Sequence, residues 1–483
     1  MLRGALPARV CLLSVAASLF VAACGGGAPA TPTTAPPATT APAPTTPAAP
    51  ASPATSPVTA PAASPAAKPS VAAVASPLAS PIASPSAIPS PSPAGVASAG
   101  ASTLTGTIRI VSSLPRTGAT KGQTDTVVNA FKMALNEHNN KVGGATIVYE
   151  DMDDATAAKG SWDGPTEASN ANRAVSDQDT MVYLGTYNSG AAKVSIPILC
   201  PANLGMISPA NTYPGLTKKT DYNAPNEPDV YYPNCKRNYT RVAATDDLQG
   251  AVAAAFAKQV GAQKLYVLND SDLYGQGISE VFAATAKKLG LDVVGGPEGM
   301  DPQASDYRAL AQKIRQTNPD LVYYGGTTDH NAGKLWQDLR STLGDSVKLM
   351  GPDGINEAAF PQAAGDAAEN TYASIPGVPA SKLSGKGAEW YQRYKQQFQG
   401  EPDPYASYGY EAMNVALGAI EKAGKKDRAA IRDAIFATRD YSGILGTWSF
   451  TDTGDTTLTG MSVRQVKNGA WDDSTTVTLE APK

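Results

Sequence analysis

From residue 106 onward the apolar positions alternate between two periods. Residues 107–112 form a β-branched run that predicts a strand; Val127, Val128, Phe131, Ala134 and Leu135 then fall on one helical face, and 146–150 returns to a strand pattern. A helix over 167–176 leads to a strand at 181–185, a helix after Gly190 and a strand at 206–208. The series then repeats. Helical spacing at 247–259, 277–289, 306–316 and 332–343 is interleaved with strand patterns at 264–269, 292–295, 321–325 and 347–350. Two successive series of about five strands each predict an α/β fold with two doubly wound parallel-sheet lobes. Ligands of such sheets lie outside the carboxyl ends of the strands, which directs attention to the residues following each strand.

Those strand ends carry small and polar clusters. After 181–185 come Thr186, Tyr187, Asn188, Ser189 and Gly190 at the start of a helix, where free backbone N–H groups and the positive end of the dipole favour an anion such as a carboxylate. Asn188 or Ser189 serving simply as a helix cap is an equal alternative at this point. Ser208, Pro209, Ala210, Asn211 and Thr212 supply hydroxyls and a carbonyl at the next strand end, and Asn269 to Gly275 follow another, with Tyr274 among them. Gly325, Gly326, Thr327 and Thr328, then Gly351, Pro352, Asp353 and Gly354, complete the set. Asp353, placed in a turn, can receive an ammonium group.

The N-terminus differs in kind. Arg3 and Arg9 precede an apolar run that ends in Ala22, Ala23, Cys24 and Gly25. At about 14 residues the run is shorter than the roughly 20 that a membrane-spanning helix needs, so it predicts an export signal. Small residues directly before a cysteine resemble the lipobox of bacterial lipoproteins, which implies cleavage after residue 23 and diacylation of Cys24; an ordinary secretory signal with an incidental cysteine is the alternative. Residues 24–103 are almost entirely Ala, Pro, Ser and Thr, with Lys68 the single charge and no aromatic residue. Such a stretch cannot build a core and predicts a disordered, semi-rigid tether. Together these place the protein outside the cytoplasm, lipid-anchored at the outer face of the cell membrane, with the anchor as its only membrane contact.

Composition narrows the remaining choices. About 380 residues outside the tether exceed what one core supports, consistent with two lobes. The net charge is −4 and no basic stripe occurs, which argues against nucleic acid as a partner. His138 and His330 are the only histidines. A histidine-based metal site or catalytic triad is therefore not expected, nor is any cofactor. Cys11 lies in the signal and Cys24 at the anchor; Cys200 and Cys235 remain, an even pair that predicts a disulfide in an oxidising compartment, with two buried free thiols as the alternative. Asp153 with Asp154, or His330 beside Asp329, are the only arrangements suggesting catalysis. Neither has a nucleophile or metal-ligand partner at a recognisable spacing, so solvated loop residues are expected there and no enzyme.

Taken in order, these clusters resemble the type I periplasmic binding proteins of the branched-chain amino acid ABC-transporter family. The matching blocks are Ser113 to Gly122, Tyr149-Glu150-Asp151, Gly185 to Ala192, Ile207-Ser208-Pro209-Ala210, Asp246 to Gly250, Tyr274-Gly275-Gln276-Gly277, Tyr323-Tyr324-Gly325-Gly326, Met350-Gly351-Pro352-Asp353-Gly354 and Tyr408-Gly409-Tyr410-Glu411-Ala412. The resemblance implies a three-crossover hinge near Thr245, Ser374 and Leu445, dividing the chain into a first lobe of 104–244 plus 375–445 and a second of 245–374 plus 446–483. It also implies a carboxylate held by Ser189 and Thr212, with Asn188 beside them, an ammonium held by the Ala210 carbonyl and Asp353, and Tyr274 closing over the ligand. Thr327 and Lys121 stand where the family often has aromatic residues, Arg116 lying near Lys121. These departures admit a more polar amino acid, an amide, urea or a small carboxylic acid as ligand, and the two cations can equally be solvated. The implied partners are an ABC-transporter permease with its ATPase subunits, the chain itself acting as a monomer; reporting ligand to a separate membrane kinase is the alternative role.

Overall fold

The computed structural model describes residues 104–482; the export signal, Cys24 and the tether lie outside the described residues. The first lobe begins with β1 (Thr105–Leu114), α1 (Lys121–Glu137), β2 (Lys141–Val142), β3 (Gly144–Asp153), α2 (Gly164–Ser176), β4 (Thr180–Gly185), α3 (Ser189–Leu199), β5 (Gly205–Ser208) and β6 (Tyr239–Arg241). Its strands form a six-stranded sheet in the order β2-β3-β1-β4-β5-β6, parallel except for β2. Both faces are covered, so a strand such as β4 is buried along its whole length, as expected of parallel strands sandwiched between helices. Ile108 and Ile110 of β1 face a core with α1, while Val111 faces the opposite core with Ala171 of α2 and Ile196 of α3. That alternation is the period-2 pattern of a strand serving two helical layers.

The second lobe runs through α4 (Asp246–Gln259), β7 (Lys264–Asn269), α5 (Leu273–Lys288), β8 (Asp292–Gly299), α6 (Arg308–Gln316), β9 (Leu321–Gly325), α7 (Ala332–Leu343), β10 (Lys348–Gly351), α8 (Ala359–Ala364) and β11 (Tyr372–Pro376). The chain then returns to the first lobe as α9 (Lys386–Phe398), α10 (Ala406–Ala423) and α11 (Arg428–Phe436), whose Trp390, Met413, Ile420 and Ile435 join the core of β1 and α1. A two-stranded hairpin, β12 (Tyr441–Gly443) with β13 (Gly446–Trp448), precedes β14 (Met461–Lys467) and β15 (Ala470–Leu479). The second sheet has seven strands in the order β15-β14-β11-β10-β9-β7-β8. Leu321 and Tyr323 of β9 face the α4 and α5 side; Val322 and Tyr324 face α6 and α7.

The sheets are therefore larger and more mixed than two parallel sets of about five strands. β14 and β15 pair antiparallel with β11 and with each other, through a turn of Asn468 at φ +53° and Gly469 at φ +75°. A two-residue Asn-Gly turn matches the twist of an antiparallel hairpin. The crossings also shift. β11 stays in the second sheet to Pro376, so the second crossing follows that residue and not Ser374; Trp448 and Phe450 belong to the first-lobe core, so the third lies beyond Phe450 and not at Leu445.

Arg241, at the end of β6, ties the first crossing to the third. Its fully buried guanidinium donates to Asp455 Oδ1 (2.8 Å), the Tyr213 carbonyl (2.7 Å) and Thr217 Oγ1 (2.6 Å), and its N–H bonds the Gly454 carbonyl. Cys200 and Cys235 are disulfide-bonded and close the proline-rich loop on the first lobe.

Candidate functional site

Strand order sets the position of the site. β1 lies between β3 and β4, and β7 between β8 and β9, so each sheet reverses its winding beside its first strand. The carboxyl ends at these switch points form the crevices where doubly wound sheets take ligands. Here the two crevices face each other. Tyr187, Asn188, Ser189, Ala210 and Thr212 from the first lobe line one cavity with Tyr274, Thr327, Asp353 and Gly354 from the second.

On the first-lobe wall, Asn188 occupies the N-cap position of α3, but its side chain makes no capping bond and Oδ1 is buried without a partner. Ser189 Oγ accepts the Tyr213 N–H (3.3 Å). Simple capping thus explains neither side chain. Ser208 Oγ shapes the neighbouring loop by accepting the N–H groups of Ala210 (3.1 Å) and Asn211 (2.8 Å) while donating to the Thr186 carbonyl (2.8 Å), which presents Ala210 and Thr212 to the cavity. Thr212 Oγ1 is buried and unpartnered. Buried polar atoms are nearly always satisfied, so a cluster of unsatisfied ones facing one cavity marks where a ligand bonds.

The opposite wall centres on Asp353, only 5% exposed. Tyr274 OH (2.7 Å) and Gln249 Nε2 (2.6 Å) donate to Oδ1, and Tyr405 OH (2.7 Å), from the first lobe, donates to Oδ2. Burial pushes this carboxyl above its usual range, and the three donors pull part of that shift back. The Gly354 N–H donates to Tyr274 OH (3.2 Å), fixing the direction in which the phenol gives its proton. A Cβ on Gly354 would stand 2.4 Å from the Gly326 carbonyl oxygen, so the turn closes this tightly only with glycine. Thr327 is anchored through its N–H to Asp270 (3.3 Å), and its Oγ1 has no partner.

Further contacts cross between the lobes. Trp162 Nε1 donates to Asp272 Oδ2 (2.8 Å), and the Ala358 N–H donates to Asp403 Oδ1 (3.0 Å). Gly190 permits the first of these: a Cβ there would lie 2.4 Å from the Trp162 ring and 2.7 Å from Asp272.

Lys121 does not join the cavity. It stands half-exposed in the first turn of α1 and pairs with Asp125 four residues on, the spacing at which helical side chains meet. Arg116 is likewise committed, to Asp125 and Asp151. The other residues singled out from sequence, Asn188, Ser189, Ala210, Thr212, Tyr274, Thr327 and Asp353, come together. Tyr187, part of the strand-end cluster that the sequence points to, joins them in the lining, whereas the sequence gives no role to Gln249 and Tyr405. Gln249 falls inside a matching block, whereas Tyr405 sits in a proline-flanked stretch with no local signal.

Two expected solvated groups are buried instead. Asp154 is fully buried because the following segment folds back over it, the Asp163 N–H bonding its carbonyl (2.7 Å) and Ala155 bridging to Trp162. His330 bonds Asp270 (2.7 Å), not Asp329; burial lowers its pKa, but the Asp270 carboxylate outweighs this and pushes it up to about 10.

Residues 107–470 match the model of a family described as periplasmic binding proteins. The Leu/Ile/Val-binding protein BraC3 of Rhizobium johnstonii is 27% identical over 359 residues, covering 74% of this chain and 90% of that protein. Among solved structures, a leucine-binding protein LivK of Thermotoga maritima superposes with a TM-score of 0.66 at 25% identity, covering 76% of this chain and 97% of its own. The branched-chain amino acid binding protein LivJ of Streptococcus pneumoniae, in complex with isoleucine, gives 0.66 at 22% identity over 77% and 99% of the two chains.

Proposed function

Because the chain belongs to the periplasmic binding protein family, we propose that it captures a free α-amino acid between its lobes and delivers it to the permease and ATPase subunits of an ABC transporter. The solute-binding role comes with the family; the amino acid is inferred from two chemically opposite ends of one cavity. At one end stand Ser189, Thr212 and the N-terminus of α3, donors suited to a carboxylate; at the other stands the carboxyl of Asp353, with the Ala210 carbonyl to share an ammonium. The observation that carries the assignment is the set of buried, unpartnered atoms facing this cavity, Asn188 Oδ1, Thr212 Oγ1 and Thr327 Oγ1. Tyr274 and Tyr405 set the direction of the Asp353 carboxylate.

Closure of the lobes about the three crossings would bury the ligand, the binding free energy offsetting the cost of ordering the hinge. Delivery involves no covalent step, and the protein acts as a binding protein, not an enzyme. An export signal ending at residue 23, a lipid on Cys24 and the Ala/Pro/Ser/Thr-rich tether would hold the monomeric binding domain near its permease. A thermal-shift panel of amino acids, amides, urea and carboxylic acids tests the ligand class. A millimolar amino acid over a micromolar site should stabilise the protein by about 4 kcal/mol. Shifts by amides or carboxylic acids, with none by any amino acid, would overturn the assignment.

A further inference from the structure

Once Ser189, Thr212, the Ala210 carbonyl, Asp353 and Tyr274 are given to the backbone of an amino acid, the rest of the lining is left for its side chain, and that remainder is polar. Among the described residues that line the cavity there is no valine, leucine, isoleucine, methionine or phenylalanine. What remains is Tyr187, Asn188, Thr327 and Gly354. Asn188 and Thr327 are only 5% and 4% exposed, and Asn188 Oδ1 and Thr327 Oγ1 are buried without a hydrogen-bond partner. They come from opposite lobes, Asn188 at the N-terminus of α3 and Thr327 just after β9. An aliphatic side chain set between them would meet no apolar wall and would leave both oxygens unpaired, which is costly for buried polar atoms. A hydroxyl donates and accepts at once. One such group can serve both walls, giving its proton to the Asn188 amide oxygen and accepting that of Thr327.

Room is equally restrictive. The space between the two walls admits the centre of a water molecule over only about 10 Å³, room for about one water. The wall that carries Tyr187 is braced. Tyr187 OH accepts from Gln123 Nε2 (3.3 Å), the Tyr405 N–H donates to Gln123 Oε1 (3.2 Å), and the Tyr187 and Tyr405 rings meet edge to face with centroids 6.0 Å apart. All three residues belong to the first lobe, so the bracing does not depend on the hinge angle. A ligand gains room by parting the lobes, which loosens the bonds that cross between them: Tyr405 to Asp353 (2.7 Å), Trp162 to Asp272 (2.8 Å) and Ala358 to Asp403 (3.0 Å). Each added side-chain carbon therefore works against closure, and the smallest side chains that carry a hydroxyl fit best.

We infer that the side-chain end of this site selects a hydroxyl, so that the preferred ligand is a small hydroxylated amino acid, serine or threonine, and not a branched aliphatic one. The inference rests on the two-ended capture proposed above and adds the side-chain class to it. Threonine and valine share a shape and differ by a hydroxyl in place of a methyl, so calorimetric titration of the full-length chain with the two isolates that group. Serine against 2-aminobutanoate repeats the comparison on a smaller side chain, and leucine and asparagine complete the series. Threonine should bind at least about tenfold more tightly than valine, and serine than 2-aminobutanoate, with leucine below all four. A Thr327→Val variant, which keeps the shape of the residue and removes its hydroxyl, should lower both ratios by at least about threefold with unchanged melting; ratios that do not move would overturn the selection at this wall. If valine or leucine binds the wild type as tightly as threonine, in a manner that Asp353→Asn abolishes, the side-chain inference is wrong and the two-ended capture stands. Asparagine binding more tightly than serine and threonine would overturn it likewise. If no amino acid of the series binds, the capture reading fails and the inference falls with it.

Discussion

Replacing Asp353 with asparagine is the most informative single change. It keeps the shape of the side chain and removes the charge expected to face the ligand ammonium. In the unliganded protein the change should be mild. The carboxyl is buried with its pKa raised, so it loses little by becoming a neutral amide, and Tyr274 OH and Gln249 Nε2 can still donate to the remaining oxygen. The bond from Tyr405 OH to Oδ2 is lost, at about 1 kcal/mol. Binding should suffer far more, because removing one partner of a buried charge pair costs about 2–5 kcal/mol, a weakening of about 30-fold or greater. Calorimetry with leucine and with whichever amino acid stabilises the protein most in the thermal-shift panel reads the affinity, and a thermal melt without ligand reads the fold. Ser189→Ala is the companion at the opposite end, expected to lose at least about tenfold while leaving the Tyr213 N–H without its acceptor. Affinities within about threefold of wild type in both variants, with unchanged melting, would refute the assignment of both ends.

Other elements carry their own expectations. Asp455→Ala strands the buried Arg241 guanidinium at the junction of two crossings and should destabilise the protein by about 3–5 kcal/mol in urea titration; a loss below about 1 kcal/mol would show that the pair does not hold the hinge. Burial pushes the carboxyl of Glu411, in α10, up to about 7 from 4.5. The unfolded chain then releases this proton first, so the group's contribution to stability should fall by about 3 kcal/mol as pH rises from the ordinary glutamate range to about 7 and stay level above it. Glu411→Gln should flatten that part of the profile, and an unchanged slope would assign it to other groups. Trp162→Phe removes the cross-lobe bond to Asp272 and should speed ligand release about tenfold with little change in association, whereas an unaltered dissociation rate would mean that this contact does not hold the closed form.

Much of the architecture was legible because both sheets are doubly wound. Strands such as β4, β7 and β9 are short apolar runs between strongly patterned helices, and their polar ends mark the cleft. What was missed has physical reasons. The antiparallel hairpin of β14 and β15 carries an Asn468-Gly469 turn, a strong local signal, but its strands mix polar and apolar positions and fall after the regular β/α series ends. Tyr405 reaches Asp353 only because α10 returns to the first lobe, a contact across 52 residues that no local pattern encodes. Burial of Asp154 follows from the fold of the segment after it, while its sequence neighbourhood of three aspartates looks solvated. Lys121 shows the converse error: alignment with a family position does not fix where a long, exposed side chain points.

The central claim is that one cavity grips both charged ends of an amino acid, and matched truncations of one ligand examine it directly. Calorimetric affinities of the full-length chain for leucine, for 3-methylbutylamine, which lacks the carboxylate, and for 4-methylpentanoate, which lacks the α-ammonium, should be compared, with the amino acid that stabilises the protein most in the thermal-shift panel and its two truncated forms as a parallel set. The account predicts that in the tighter-binding set the intact amino acid binds at least about 100-fold more strongly than either truncated form, since each truncation leaves one end of the cavity unpaired. A truncated form binding within about tenfold of its parent would contradict it.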